Sequence, residues 1–185
     1  MQVALEGPRL GVHQTAEREP SALASRMIKR EDRMAELRFE DYVAICDTKA
    51  RYCRCLDEKN WAGYGDTFTD DAVLDTRPSG GGETRGRDSL VKGVRASIET
   101  AKTAHQVHSP EIAMVDADTA DVIWAMQDRV IWDDARAKAI GTRSLIGYGH
   151  YRERYIRCGD GKWRIAHGTL TRLHIDFEPY AAAAA

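Results

Sequence analysis

The chain has 185 residues, 43% of them hydrophobic and 30% charged, with a formal net charge of −2, which suits one domain with a sizeable core. Acidic and basic residues are interspersed, so the basic stripe that a nucleic-acid partner requires is missing. No apolar run approaches the ~20 residues that cross a bilayer, the N-terminus lacks the charged-then-apolar order of a signal peptide, and the four cysteines show no CxxC spacing and read as reduced thiols; these features predict a cytoplasmic protein without a membrane partner.

Residues 1–36 are polar and irregular, carry Pro8, Pro20, Gly7 and Gly11, and read as a flexible extension in which Met27 and Met34 are alternative starts. The domain is expected over 37–178, followed by a tail over 179–185 whose alanine run is set aside. From Phe39 to Leu56, Tyr42, Ile45, Cys46, the stem of Lys49, Tyr52, Cys53 and Leu56 recur at spacings of three and four, which predicts an amphipathic helix. Asp57 follows at its C-terminal end, against the helix dipole, and so asks for a reason. Trp61 to Phe68 reads as a short second helix closed by Thr69, Asp70 and Asp71, and Ala72 to Thr76 as a short strand. Arg77 to Gly86, with Pro78 and its glycines, reads as a loop without a phosphate-binding motif. Leu90, Val91, Val94 and Ile98 predict a third helix over Arg87 to Ala101.

Long strands are expected next, at His105–Met114, Ala120–Asp133, Ser144–Cys158 and Trp163–Phe177, with Gly159-Asp160-Gly161 turning the last hairpin. In the second of these, Val122, Trp124, Met126, Asp128, Val130 and Trp132 share one face. Five are large and apolar, so the carboxylate of Asp128 is placed on a core face, where it needs partners or shifts its pKa. Three N-terminal helices and an antiparallel meander predict an α+β fold, a curved sheet with helices across one face enclosing a pocket.

Tyr52, Asp57, His105 and Asp128 are the candidates for chemistry. His105 and His108 form an HxxH pair, but a spacing of three on a strand sends them to opposite faces, so no metal site is expected. No serine lies in a GxSxG elbow. His150 alternates with Arg152 and Arg154 on an interfacial face, and His167 lies opposite Gly168. Trp61 and Tyr64, with Trp124 and Met126, are expected to line the cavity.

The string from Arg51 to Asp57, then Trp61, Phe68-Thr-Asp-Asp-Ala-Val-Leu-Asp75, Gly86-Arg-Asp, Thr103-Ala-His105-Gln-Val-His108 and Trp163-Arg-Ile-Ala-His167 resembles the SnoaL-like domain. That family belongs to the cone-shaped α+β superfamily of nuclear transport factor 2, scytalone dehydratase and ketosteroid isomerase, and the pattern is most similar to bile acid 7α-dehydratases and hexachlorocyclohexane dehydrochlorinase. The resemblance implies a cofactor-independent lyase or isomerase of dehydratase type acting on a hydrophobic cyclic molecule, steroid- or polyketide-like. It implies His105 as general base held by Asp57, Tyr52 as hydrogen-bond donor and Asp128 as a second acidic position, and it implies a homo-oligomer, a trimer before a dimer. Those relatives carry an arginine where this chain has Gly168; Arg172, on the same strand face, is the available substitute. The competing reading is a non-catalytic module that binds an apolar ligand or a protein, or a polyketide cyclase.

Overall fold

The computed structural model describes residues 35–181. The expected N-terminal extension, with its alternative starts, lies outside them apart from Ala35 and Glu36, as does the tail beyond Ala181. Helix α1 (Phe39–Asp57) opens with Glu40 and Asp41 at the positive pole of its dipole and buries Ile45, Thr48, Lys49, Tyr52, Cys53, Cys55 and Leu56. It stops at a left-handed residue, Lys59, with φ 60°. The amides of Lys59 and Asn60 bond back to the carbonyls of Leu56 and Cys55, the doubly bonded helix end that satisfies otherwise orphaned carbonyls.

Helix α2 (Trp61–Gly65) is capped by Asn60, whose side chain accepts from the amide of Gly63. It is shorter than the sequence predicts, and β1 (Phe68–Asp75) begins where a turn was expected. The register shifts between Phe68 and Val73, with Asp70 and Asp71 exposed while Phe68 and Ala72 stay buried, so the polar run marks a bulge within the strand and not a turn. The expected loop over 77–86 contains a single 3-10 turn at Arg77–Ser79 and an edge strand, β2 (Glu83–Arg85). Helix α3 (Arg87–Ile98) buries Leu90 and Ile98.

The meander is β3 (Lys102–Met114), β4 (Thr119–Ile131), β5 (Thr142–Arg157) and β6 (Trp163–Pro179). A fourth helix, α4 (Asp134–Ile140), interrupts it and was not expected. Its signals stand in the sequence: Asp133 caps it by accepting from the amide of Arg136, and Gly141 ends it at φ 70°. The six strands form one mixed sheet in the order β2-β1-β6-β5-β4-β3, antiparallel except where β1 runs parallel to β6. This is the expected α+β architecture. On β4, Val122, Trp124, Met126, Asp128 and Val130 are all buried, as the alternation predicts.

Among the described residues, one ion pair has both side chains almost wholly buried. Lys49 reaches from the middle of α1 to Glu153 on β5 at 2.6 Å, with side-chain exposures of 0% and 2%. The Tyr155 hydroxyl donates to the other carboxylate oxygen at 2.7 Å, and the ammonium stands 3.9 Å and 3.7 Å from the ring centroids of Tyr52 and Tyr151. The sequence reading placed only the stem of Lys49 in the core. Breaking a buried pair from one side strands the other charge, so Lys49→Met is expected to lower the unfolding free energy by about 3–5 kcal/mol. Lys49→Met/Glu153→Gln, which removes both charges, should recover much of that loss. Urea denaturation of these variants and of Glu153→Gln checks this, and a double variant as weak as the sum of the single ones would refute it.

Candidate active site

The C-terminal end of α1 brings Asp57 against the first residues of β3. Asp57 Oδ1 accepts from the Thr103 hydroxyl at 2.8 Å and faces His105 Nδ1 at 2.6 Å, and Oδ2 accepts from the His105 backbone amide at 2.9 Å. A carboxylate can only accept, so Nδ1 carries a hydrogen, and in the neutral ring Nε2 keeps the lone pair. Lys59 donates to the Thr103 hydroxyl at 2.7 Å, so the left-handed turn after α1 also braces the carboxylate's partner. Burial raises the Asp57 pKa, but the hydrogen bonds from His105 and Thr103 outweigh it and hold the carboxyl below its usual range. The unfavourable helix-end position of Asp57 therefore has its reason: the dipole is opposed by three polar contacts.

Sheet register supplies the next members. His105 stands directly opposite Asp128 across β3 and β4, and Asp128 stands opposite Gly147 across β4 and β5. Asp128, as expected, sits on the buried face, and its partner is Arg172 from β6, bound through both oxygens at 2.7 Å and 2.5 Å. The ion pair with Asp128 keeps the guanidinium charged against the opposing effect of burial. A Cβ on Gly147 would lie 2.0 Å from Arg172 Nη1 and 3.0 Å from Asp128 Oδ1. One built on Gly149 would lie 2.0 Å from the Thr171 carbonyl oxygen. Gly147, which the sequence reading passed over, is the space in which the pair forms, and Gly149 lets the β6 backbone approach; a glycine in a strand interior is the signal that marks such an approach.

These groups line a cavity of about 240 Å³. Tyr52, Tyr64, His105, Asp128, Tyr151 and Arg172 form its polar wall, and Leu56, Ile98, Val130, Leu145 and Leu170 its apolar one. Burial raises the phenol pKa of Tyr52, Tyr64 and Tyr151, so all three remain neutral donors. Tyr64 thus keeps the lining place expected of it. Trp124 and Met126 are buried in the core and do not reach the lining, because the sheet's inner face beside them is filled. Trp61 lies on a separate surface groove with Val91 and Arg95, its indole nitrogen 3.3 Å from Glu99 Oε1. Gly168 faces Leu74 and Glu153, and Arg172 reaches the cavity from farther along β6. Among the described residues no group of three His, Cys, Asp or Glu side chains is placed to hold a metal, and His108 is exposed on the opposite face from His105. No helix among the described residues is long and apolar enough to cross a membrane.

A SnoaL-like domain profile matches residues 37–169. The fold is similar to a provisionally assigned aromatic ring hydroxylase from Novosphingobium aromaticivorans, at 20% identity over 77% of this chain and 96% of that one, with a TM-score of 0.68. A provisionally assigned scytalone dehydratase from the same organism is 21% identical over 77% and 89% of the two chains, with a TM-score of 0.63. A hexachlorocyclohexane dehydrochlorinase is 16% identical over 86% and 97%, again with a TM-score of 0.63.

Two outcomes test the geometry. Because the folded pKa of Asp57 lies below its unfolded value, its contribution to stability is fully present above about pH 4 and is lost as pH falls through the depressed folded value. The difference in unfolding free energy between wild type and Asp57→Asn should therefore shrink as the pH falls below about 4 in urea titrations. Gly147→Ala should push the guanidinium off Asp128 and lower stability by about 1–3 kcal/mol, whereas Gly159→Ala, at a position with open space around it, should change it little.

Proposed function

As the chain belongs to the SnoaL-like domain family, we propose that it is a lyase or isomerase of dehydratase type that removes a proton from carbon in a hydrophobic cyclic substrate. The observation that carries this reading is the 2.6 Å contact of His105 with Asp57 at the edge of a largely apolar cavity. A module that only binds ligand has no use for an imidazole held by a carboxylate with its second nitrogen free.

In this scheme His105 Nε2 takes a proton from the carbon beside a carbonyl, and Asp57 steadies the imidazolium that forms. The electron pair moves to the carbonyl oxygen, to which the Tyr52 hydroxyl donates; in a site with little water such a donor contributes several kcal/mol to the transition state. The enolate then expels a neighbouring hydroxyl, which leaves as water with the proton from His105, or it is reprotonated at another carbon. Asp128, with both oxygens engaged by Arg172, is a poor second base. Its part is to hold the guanidinium, whose remaining N–H groups meet the departing oxygen. The scheme uses side chains alone and calls for no cofactor.

A panel of cyclic β-hydroxy ketones, assayed for loss of water by mass and for deuterium uptake at carbon in D₂O, tests the reading. His105→Ala should lower turnover by ~10²–10⁴-fold with the fold intact. Asp57→Asn should weaken the base, and the double variant should be little worse than His105→Ala alone, since the two act as a unit. Tyr52→Phe should reduce rate more than affinity. Undiminished turnover in His105→Ala would sink the scheme.

The reading extends to assembly and location. The sheet face turned from the helices carries Ile123, Arg152 and Arg154 along a groove of about 770 Å³, with Tyr148 and Ile146 exposed beside it. We place a homo-oligomer contact there, a trimer before a dimer, in the cytoplasm, where the four free thiols stay reduced. A monomeric mass by light scattering at micromolar concentration would contradict it.

A further inference from the structure

Lys59 stands in a conformation that a long side chain seldom adopts. Among the described residues it is the one non-glycine position with a positive φ, at 60°, where a Cβ is crowded and a glycine is not. Helix ends use this conformation to turn the chain, and glycine is its ordinary occupant. A lysine there calls for a reason beyond the turn, since strained positions gather where function requires them.

The side chain supplies one. Its half-buried ammonium donates to the Thr103 hydroxyl at 2.7 Å and lies 3.4 Å from the Leu56 carbonyl oxygen, and among the described residues it touches no carboxylate. Counting hydrogens gives the direction of each bond. An ammonium can only donate and a carboxylate only accept, so the single hydroxyl hydrogen of Thr103 points at Asp57 Oδ1, 2.8 Å away, and a lone pair of the hydroxyl points at Lys59. The same Oδ1 receives His105 Nδ1 at 2.6 Å. Two lines of donors therefore converge on one oxygen, and the arrangement is a clamp on Asp57 and not a wire that carries a proton from His105 to Lys59.

Convergence has an electrostatic consequence. A carboxylate stabilises the imidazolium beside it, and each further donor or cation at that carboxylate weakens its hold. The other groups that face His105 are matched or neutral: Asp128, opposite it across β3 and β4, is bound by Arg172, and burial keeps the phenols of Tyr52 and Tyr151 protonated. On the Asp57 side the cation is Lys59. Burial lowers its pKa, and the charges of Asp57 and of Glu99, at the end of α3, oppose that fall.

We propose that Lys59 is a positioning residue for His105: its ammonium fixes the direction of the Thr103 hydroxyl, which by donating to Asp57 limits how strongly that carboxylate holds the imidazolium. The imidazole is thereby a weaker base than the Asp57 contact alone would make it, and more of it carries the free Nε2 lone pair that proton abstraction needs. The neutral amine that Lys59 becomes at high pH accepts the hydroxyl hydrogen instead, so the clamp belongs to the charged form. This deepens the proton-abstraction reading and rests on it for its catalytic meaning; the clamp itself is a property of the resting protein and is measured without substrate.

A heteronuclear NMR titration of the His105 ring nitrogens in the full chain tests this. Lys59→Met and Lys59→Gly should each raise the pH at which His105 takes up its second ring proton by about 0.5–1, and Thr103→Val, which keeps the shape and loses the hydroxyl, should do the same. Lys59→Arg and Thr103→Ser, which keep the charge and the hydroxyl, should titrate like wild type. In the Thr103→Val background Lys59→Met should add little, because the hydroxyl that carries its effect is gone. Lys59→Gly separates this role from a structural one: glycine adopts the left-handed turn without a Cβ, so a lysine that only ends the helix predicts a wild-type titration there, whereas the clamp predicts a shifted one with the urea unfolding midpoint near wild type. An unmoved or lowered titration midpoint in Lys59→Gly or Thr103→Val, or a Lys59→Met shift undiminished in Thr103→Val, would each overturn the inference. A protein that shows these shifts but abstracts no proton from carbon defeats the lyase reading alone; one whose turnover depends on His105 while its titration ignores Lys59 defeats this inference alone.

Discussion

The fold depends on a charge that has no access to water. An ammonium with no exposed surface is tolerable only while Glu153 and the faces of Tyr52 and Tyr151 stay in place around it. Hydrophobic burial is non-directional, whereas the Lys49 contact has a direction and a length. Two further polar ties flank it on the same helix. Asp41, in the first turn, accepts from Arg157 at 2.6 Å and from the Trp163 indole at 3.2 Å, and Asp57, in the last turn, holds Thr103 and His105. With directional bonds at its start, middle and end, the helix has one rotation and one height above the sheet, and the position of the candidate base follows from that.

The cavity shows the same economy with charge. Its charged side chains are each tied to a partner from a different element: helix end and β3 for Asp57 and His105, β4 and β6 for Asp128 and Arg172. Each tie therefore fixes the spacing of the two elements it joins. The Ser79 hydroxyl adds a fastening at the far wall, donating to the Leu170 carbonyl and accepting from the Arg172 amide. The loop after β1 is thereby joined to the backbone that carries the guanidinium.

Much of this was legible in the residues. Alternation over Val122–Trp132 placed Asp128 on the inner face, and helical spacing before Asp57 placed that carboxylate at a helix end. The approach of Asp57 to His105 followed from a resemblance, because two residues 48 apart share no local signal. What escaped has physical reasons. Lys49 reads as a surface residue with a buried stem, since its buried counterion is 104 residues away. Trp124 and Met126 share the face of Asp128, yet one face of a long strand serves both core and cavity, and alternation cannot say where one gives way to the other. Thr69-Asp70-Asp71 has the composition of a turn and occupies a bulge, because pairing with β6 overrides local preference. Gly147 acquires meaning only when the guanidinium that fills its missing side chain is known, and Gly149 only when the close backbone of Thr171 and Arg172 is.

The parallel pairing of β1 with β6 has a consequence for how the protein comes into being. The first long strand finds its central neighbour in the last, with Phe68 opposite Ile165 and Asp75 opposite Thr169. A chain growing from a ribosome thus carries α1, with its lysine and no counterion, and β1, with one edge open, until nearly all of the domain has emerged. Contacts of such long sequence separation form late and slowly. The meander β3 to β5 can pair as it appears, but the cavity gains its far wall only with the final strand, so the site is the last part of the molecule to exist.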